Sequence, residues 1–191
     1  KEKIDFLTTP FDINSLDFVV DNLKIKSLKI ASFDTSNYKF LREVSKKRVN
    51  TIISLGMTSI ETADKIVKIF NKKYLSLLHC VSGYPIKNID ANLSNINFLN
   101  ERYKNIPIGF SDHTKDVNIP FYAVLCGAKI IEKHFYLSKI KNCPDYPVSL
   151  NLSQMRKMVY NIRNVEKIIG NPNFEIKEVE KNITQFKRFS K

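Results

Sequence analysis

Six short apolar runs recur along the chain: IDFLTT (4–9), SLKIAS (27–32), NTIISLG (50–56), YLSLLHC (74–80), IPIGFS (106–111) and AKIIEKHF (128–135). Each is nearly continuous in hydrophobicity instead of alternating, and several are rich in β-branched residues. Such runs suit strands covered on both faces, as in a parallel sheet flanked by helices.

The intervening stretches carry the helical period. Thr58-x-x-Glu61 reads as a capping box opening a helix whose apolar face is Ile60, Ala63, Val67 and Phe70. Leu93, Ile96, Leu99 and Tyr103 repeat the pattern, and so do Met155, Met158, Val159, Ile162 and Val165 ahead of Gly170, a C-cap candidate. Residues 119–126 form an apolar helix closed by Gly127. Strand followed by helix, six times over, predicts successive βα units with right-handed crossovers. The spacing favours a (β/α) barrel of the TIM type, with a doubly wound sheet as the alternative. No Gly-rich phosphate loop follows the first run, which weakens a dinucleotide fold. Six units are two short of a closed eight-stranded barrel, so the expectation is an incomplete α/β barrel over residues 1–170. Residues 171–191, charged and weakly periodic, read as a linker.

A chain of 191 residues with 43% hydrophobic residues and five glycines is most simply one ordered domain. No apolar run reaches the roughly 18 to 20 residues of a membrane helix, and the N-terminal residues carry no secretory pattern. Cys80, Cys126 and Cys143 are odd in number and lack C-x-x-C spacing, which points to reduced thiols and a cytoplasmic setting. The formal net charge of +12 invites nucleic acid as a partner. However, the lysines are dispersed, without a dense basic run interleaved with aromatics. The charge is instead compatible with anionic small molecules.

In parallel α/β folds the chemistry gathers at the carboxyl ends of the strands. Here the runs end on Thr9; on Ser32 and Asp34, after an internal Lys29; on Ser54; on His79, Cys80, Ser82 and Tyr84; on Ser111, Asp112 and His113; and on Glu132, Lys133 and His134. Two imidazoles on adjacent strands, His113 and His134, can hold a divalent metal and leave positions open to substrate. His79, in the apolar run LSLLHC, reads as a buried core residue. Lysines inside apolar strands are costly unless matched by an anion. Lys29 and Lys133, with hydroxyls from Thr9, Ser32, Ser54 and Ser111, could cradle a phosphate or carboxylate; a salt bridge to an interior carboxylate such as Glu132 is the competing role for either lysine.

The motifs TPFD (9–12), KIAS-x-D (29–34), S-x-GM (54–57), LLHC-x-x-x-YP (77–85), GFSDHT (109–114), IEKHF (131–135), CPD (143–145) and RNVEKIIG (163–170) resemble, in order and spacing, those of the sialic acid synthase family. That family includes N-acetylneuraminate, legionaminate and pseudaminate synthases. The resemblance implies a cytoplasmic, TIM-barrel enzyme of cell-surface carbohydrate synthesis. It would condense phosphoenolpyruvate with an N-acylated amino sugar, N-acetylmannosamine or a related deoxy sugar, and release phosphate.

Position by position, the resemblance implies that His113 and His134 hold the metal, manganese by preference, with magnesium or cobalt as substitutes. It places Thr9, Lys29, Ser32, Ser82 and Ser111 on phosphoenolpyruvate. Asp34 falls where the family has an acid facing the sugar and could assist proton transfer. Asp145 matches a sugar-side aspartate and Tyr84 a site-lining tyrosine. Phe33 and Ser82 resemble the pseudaminate branch, whereas His79 and the CPD spacing resemble the other two; Leu55 stands where a threonine is common. The family's first two strands, with a lysine and an asparagine of the site, have no counterpart here. Neither has its C-terminal antifreeze-like domain, which lends an arginine across a homodimer. The competing expectation is therefore a non-catalytic remnant, or a half that works only with a partner chain, with open sheet edges at the first and last runs.

Overall fold

The structure is a computed structural model that describes residues 4–137 and 142–188. Five parallel strands, β1 (Ser27–Ile30), β2 (Asn50–Ser54), β3 (Leu75–Cys80), β4 (Ile108–Asp112) and β5 (Ile131–Lys133), form one sheet in the order of the chain. The order never reverses, so the sheet has no switch point of the doubly wound kind. It curls as a half-barrel.

Helices α1 (Ile13–Asp17), α2 (Tyr38–Lys46), α3 (Ile60–Ile69), α4 (Ser94–Arg102), α5 (Ile119–Leu125) and α6 (Leu152–Ile169) alternate with the strands. Their starts are fixed by side chains that accept orphan backbone N–H groups. Asn37 caps α2 through the Phe40 N–H, and Asn151 with Gln154 forms a reciprocal capping box on α6. For α3 the cap is Ser59, which accepts from Thr62 N–H, and not Thr58. The Thr58 hydroxyl instead bonds within the loop, to Gly56 carbonyl and to Thr35. Gly127, at φ +92°, adopts the left-handed turn that ends α5.

The register stacks Ile30, Ile53, Leu77 and Ile108 level across four strands. All four are fully buried in the main core, together with Leu41 and Val44 of α2, Ile66 of α3 and Ile96 of α4. Each such side chain contributes about 1.5–3 kcal/mol. A second, smaller core joins Met158 and Ile162 of α6 to Leu150, with Phe121 and Val124 of α5 packed on it.

The edges differ from expectation. The run 4–9 is not a strand of the sheet. Its one tie to β1 is the Lys29 N–H, which donates to the Thr8 carbonyl at 2.9 Å. In this run Ile4 is 84% exposed and Phe6 66% exposed, and among the described residues five strands replace the expected six. The opposite edge is partly closed. Leu150 N–H donates to His134 carbonyl at 2.8 Å, and Tyr136 N–H donates to Leu150 carbonyl at 3.0 Å. The described residues after Gly170 are largely exposed and contain a 3₁₀ helix at Glu178–Phe186.

Gly109 sits where β4 meets its neighbours. A Cβ there would collide with the Ile130 carbonyl and with Leu78. Gly109→Ala is expected to lower the unfolding free energy by about 1–3 kcal/mol, measured by urea titration.

Candidate active site

The pleat decides which side chains meet at the carboxyl ends of the strands. Cys80, Ser111 and Glu132 are level partners across β3, β4 and β5. They point to the face opposite the main core and line a cavity of about 280 Å³. Lys29 and Ser54 reach the same cavity from β1 and β2. Thr9, Ser32, Ser82 and Tyr84 reach it from the loops, and His113 and His134 from just beyond β4 and β5.

One wall is built for an anion. The Lys29 ammonium is buried, donates to the Ile30 carbonyl at 3.1 Å, and lies 3.5 Å from Glu132 Oε2. Burial pulls its pKa below the ordinary lysine value, and the Glu132 carboxylate works against that. Glu132 is held in turn by the Ser111 hydroxyl, which donates to Oε1 at 2.7 Å. Ser54 Oγ, beside them, is the buried side-chain polar atom without a hydrogen-bond partner among the described residues. A buried hydroxyl left unpaired is unfavourable, so a ligand oxygen is the natural complement. The loop after β2 closes over this wall: Gly56 N–H donates to Ser32 Oγ at 2.9 Å, and a Cβ on Gly56 would collide with Ser82.

The other wall carries the imidazoles. The His113 and His134 rings lie 5.4 Å apart, centroid to centroid, inclined at 51°. His113 Nδ1 sits 2.8 Å from the Val81 carbonyl. A carbonyl only accepts, so Nδ1 carries the proton and Nε2 keeps its lone pair. His134 Nδ1 faces Asp145 Oδ2 at 3.6 Å. Burial lowers the His134 pKa, with Asp145 opposing and His113 adding to the fall. For His113 burial also acts downward, but Cys80, Val81 and Asp112 outweigh it and the net shift is upward. Tyr84 packs on His113 at 4.1 Å and edge-on to His134 at 5.9 Å. Imidazoles sharing one ion through bonds of about 2.1 Å place their centroids roughly 5 Å apart. The observed separation suits that arrangement.

Several expected residues are placed differently. The Lys133 side chain is fully buried, and its ammonium donates to Asp112 Oδ2 at 2.7 Å and to the Thr114 carbonyl. It touches the cavity but offers no free cation, so the ion-pair role prevails, with Asp112 and not Glu132 as partner. Asp34 does not line the cavity; it lies in the 3₁₀ turn after β1, where Oδ1 accepts from Asn37 at 3.4 Å. The turn that aims Ser32 inward aims Asp34 elsewhere. Asp145 likewise stands outside the lining, behind His134. His79 is a core residue, with Nε2 at 2.8 Å from the Ala91 carbonyl.

Two of the polar lining residues, Glu132 and Cys80, were not expected as parts of the site. Glu132 was read only as a countercharge, although its place two residues before His134 was the signal. Cys80, at the end of its apolar run, carried no sign of a role in the site beyond that of a reduced thiol. Burial raises its thiol pKa, but His113, Ser111 and Ser32 together bring it below the ordinary value.

Fold and cavity together define a barrel-type α/β chain with an anion wall facing two imidazoles. Residues 1–174 match the NeuB family. The N,N'-diacetyllegionaminic acid synthase of Legionella pneumophila is 36% identical over 174 residues, covering 87% of this chain and 48% of that protein. The pseudaminic acid synthase of Campylobacter jejuni (serotype O:23/36) is 34% identical over 180 residues, covering 93% and 52%. A crystal structure of N-acetylneuraminic acid synthetase from Leptospira borgpetersenii, in complex with citrate, superposes with a TM-score of 0.89 at 37% identity, covering 96% of this chain and 64% of that one. The chain belongs to the NeuB family, and its sheet is part of a TIM-type barrel. It spans about half the length of the curated relatives it matches.

Breaking the buried Lys133–Asp112 pair from one side leaves an uncompensated charge. Lys133→Met is expected to cost about 3–5 kcal/mol of stability, read as a fall in the urea midpoint.

Proposed function

We propose that this chain forms the greater part of the catalytic barrel of a nonulosonate synthase, condensing phosphoenolpyruvate with an N-acylated amino sugar and releasing phosphate. The observation that carries this reading is the pairing of a buried, partly compensated ammonium and an unpaired hydroxyl, Lys29 and Ser54, with two facing imidazoles in one small cavity. Names of relatives in three branches of the family support the reaction class.

In this scheme Lys29, Ser54, Ser32, Ser111 and Thr9 hold the phosphate and carboxylate of phosphoenolpyruvate. The enol carbon attacks the aldehyde carbon of the open-chain sugar. Water adds at the carbon that bears the phosphate, and cleavage of its bond to the phosphate oxygen frees phosphate and leaves the keto group. A divalent ion, manganese by preference, would be held by Nε2 of His113 and His134 and would polarise the sugar carbonyl. Among the described residues no group of three or more His, Cys, Asp or Glu side chains could hold an ion. The chain would thus furnish two ligands and leave the rest to substrate and water. Asp145 orients His134, and Tyr84 supports His113. Phe33 and Phe11, which line the cavity mouth, present apolar surface to the sugar. In the complete protein a homodimer and a cytoplasmic setting accompany this reading; no helix among the described residues is long and apolar enough to cross a membrane.

A second reading is favoured by Ile4, Phe6, Phe11 and Phe18, exposed apolar residues of the segment that precedes β1. Here the chain is inactive alone and gains activity with a partner carrying the remaining barrel strands.

The test is phosphate release from phosphoenolpyruvate with manganese and a panel of N-acylated amino sugars, run on the full protein. His113→Ala and His134→Ala are each expected to abolish turnover without unfolding the chain. Lys29→Ala is expected to raise the KM for phosphoenolpyruvate roughly ten- to a hundredfold, as loss of a charge-assisted hydrogen bond worth about 1.5–3 kcal/mol would do. Full activity in either histidine variant would remove the assignment of the pair.

A further inference from the structure

The ion pair between β4 and β5 stands in an unusual place. Asp112 and Lys133 are level partners in the register, and each immediately precedes one of the facing histidines, His113 and His134. Their side chains are 0% and 1% exposed. The Asp112 carboxylate is fully subscribed. Oδ1 accepts from the Thr114 N–H at 2.8 Å, and Oδ2 accepts from Thr114 Oγ1 at 3.2 Å and from Lys133 Nζ at 2.7 Å. The Lys133 ammonium also donates to the Thr114 carbonyl. One knot therefore joins the residue before His113, the residue after it, and the residue before His134.

The outer boundary of the knot is fixed as well. His134 carbonyl accepts from Leu150, and Ile86 N–H donates to the His113 carbonyl at 3.1 Å. The backbone of each imidazole is thus anchored on both sides. The Asp112 carboxylate and the Thr114 carbonyl together account for the burial of the Lys133 ammonium.

We propose that Asp112 and Lys133 are positioning residues, which set the separation and aim of the His113 and His134 imidazoles by locking the ends of β4 and β5 to one another. A planar ring on a short stem amplifies small backbone shifts, so a strand end free to slide would misplace its nitrogen. A buried pair at this junction defines geometry more than it adds net stability. The proposal rests on the assignment of the two histidines as a working pair, but its test does not require that assignment to hold.

The test uses two variants. Asp112→Asn/Lys133→Met removes both charges together, so no buried charge is left unpaired. Lys133→Arg keeps the charge but changes its reach. Proton–nitrogen spectra of the imidazoles are recorded on the metal-free chain, with His79, held by Ala91 in the core, as the internal control. Both variants are expected to retain the wild-type circular dichroism. The His113 and His134 ring resonances are expected to shift and broaden while those of His79 stay in place. Manganese affinity by calorimetry is expected to fall about 10- to 100-fold in the double variant and several-fold in Lys133→Arg. Unchanged His113 and His134 resonances in either folded variant overturn the proposal. If the wild-type chain takes up no manganese, the metal assignment fails, and the ring resonances still decide the positioning role.

Discussion

A strand sends every second side chain to the same face, and parallel strands in register send them out at the same height. In this chain that constraint does two tasks at once. It stacks Ile30, Ile53, Leu77 and Ile108 into the main core. On the opposite face it brings Cys80, Ser111 and Glu132 level at the carboxyl rim. A slip of one residue would turn the rim groups into the core and the core into the cavity. Hydrophobic burial therefore fixes the chemistry, because the register that satisfies the core is the one that assembles the site.

The cavity divides its polar groups by function. Lys29 is kept buried by a carboxylate close enough to balance it and too distant, at 3.5 Å, to occupy it fully. Among the described residues Ser54 Oγ has no hydrogen-bond partner. On the other wall the His113 Nδ1 is held by the Val81 carbonyl and the His134 Nδ1 faces Asp145. Charge that could be neutralised inside the protein has been, as at Lys133 and Asp112.

Much of this was readable from the sequence, because continuous apolar runs and polar strand ends are local signals. The barrel class, the order of the strands, the convergence of His113 and His134, and the burial of His79 all followed from them. The errors share one cause, which is that spacing does not reveal partners. Residues 4–9 have strand-like composition, but a strand needs a neighbour on the sheet, and here only Thr8 finds one. Asp34 sits two residues beyond Ser32, yet a 3₁₀ turn breaks the alternation that would have put both in the cavity. Lys29 and Lys133 look alike in sequence. The pleat gives the first to the cavity and the second to Asp112. Thr58 has the side chain of a cap, but it bonds to Thr35 and Gly56 in the loop and the cap falls to Ser59.

The central claim is that one small cavity holds an ion between two imidazoles and an anion beside an ammonium. Crystals of the full protein grown with manganese and phosphoenolpyruvate, with anomalous scattering collected at the manganese edge, test it most directly. The account predicts a single anomalous peak within bonding distance of Nε2 on both His113 and His134, and ligand oxygens on Lys29 and Ser54. A peak bound elsewhere on the chain, or phosphoenolpyruvate seated away from Lys29, would contradict it.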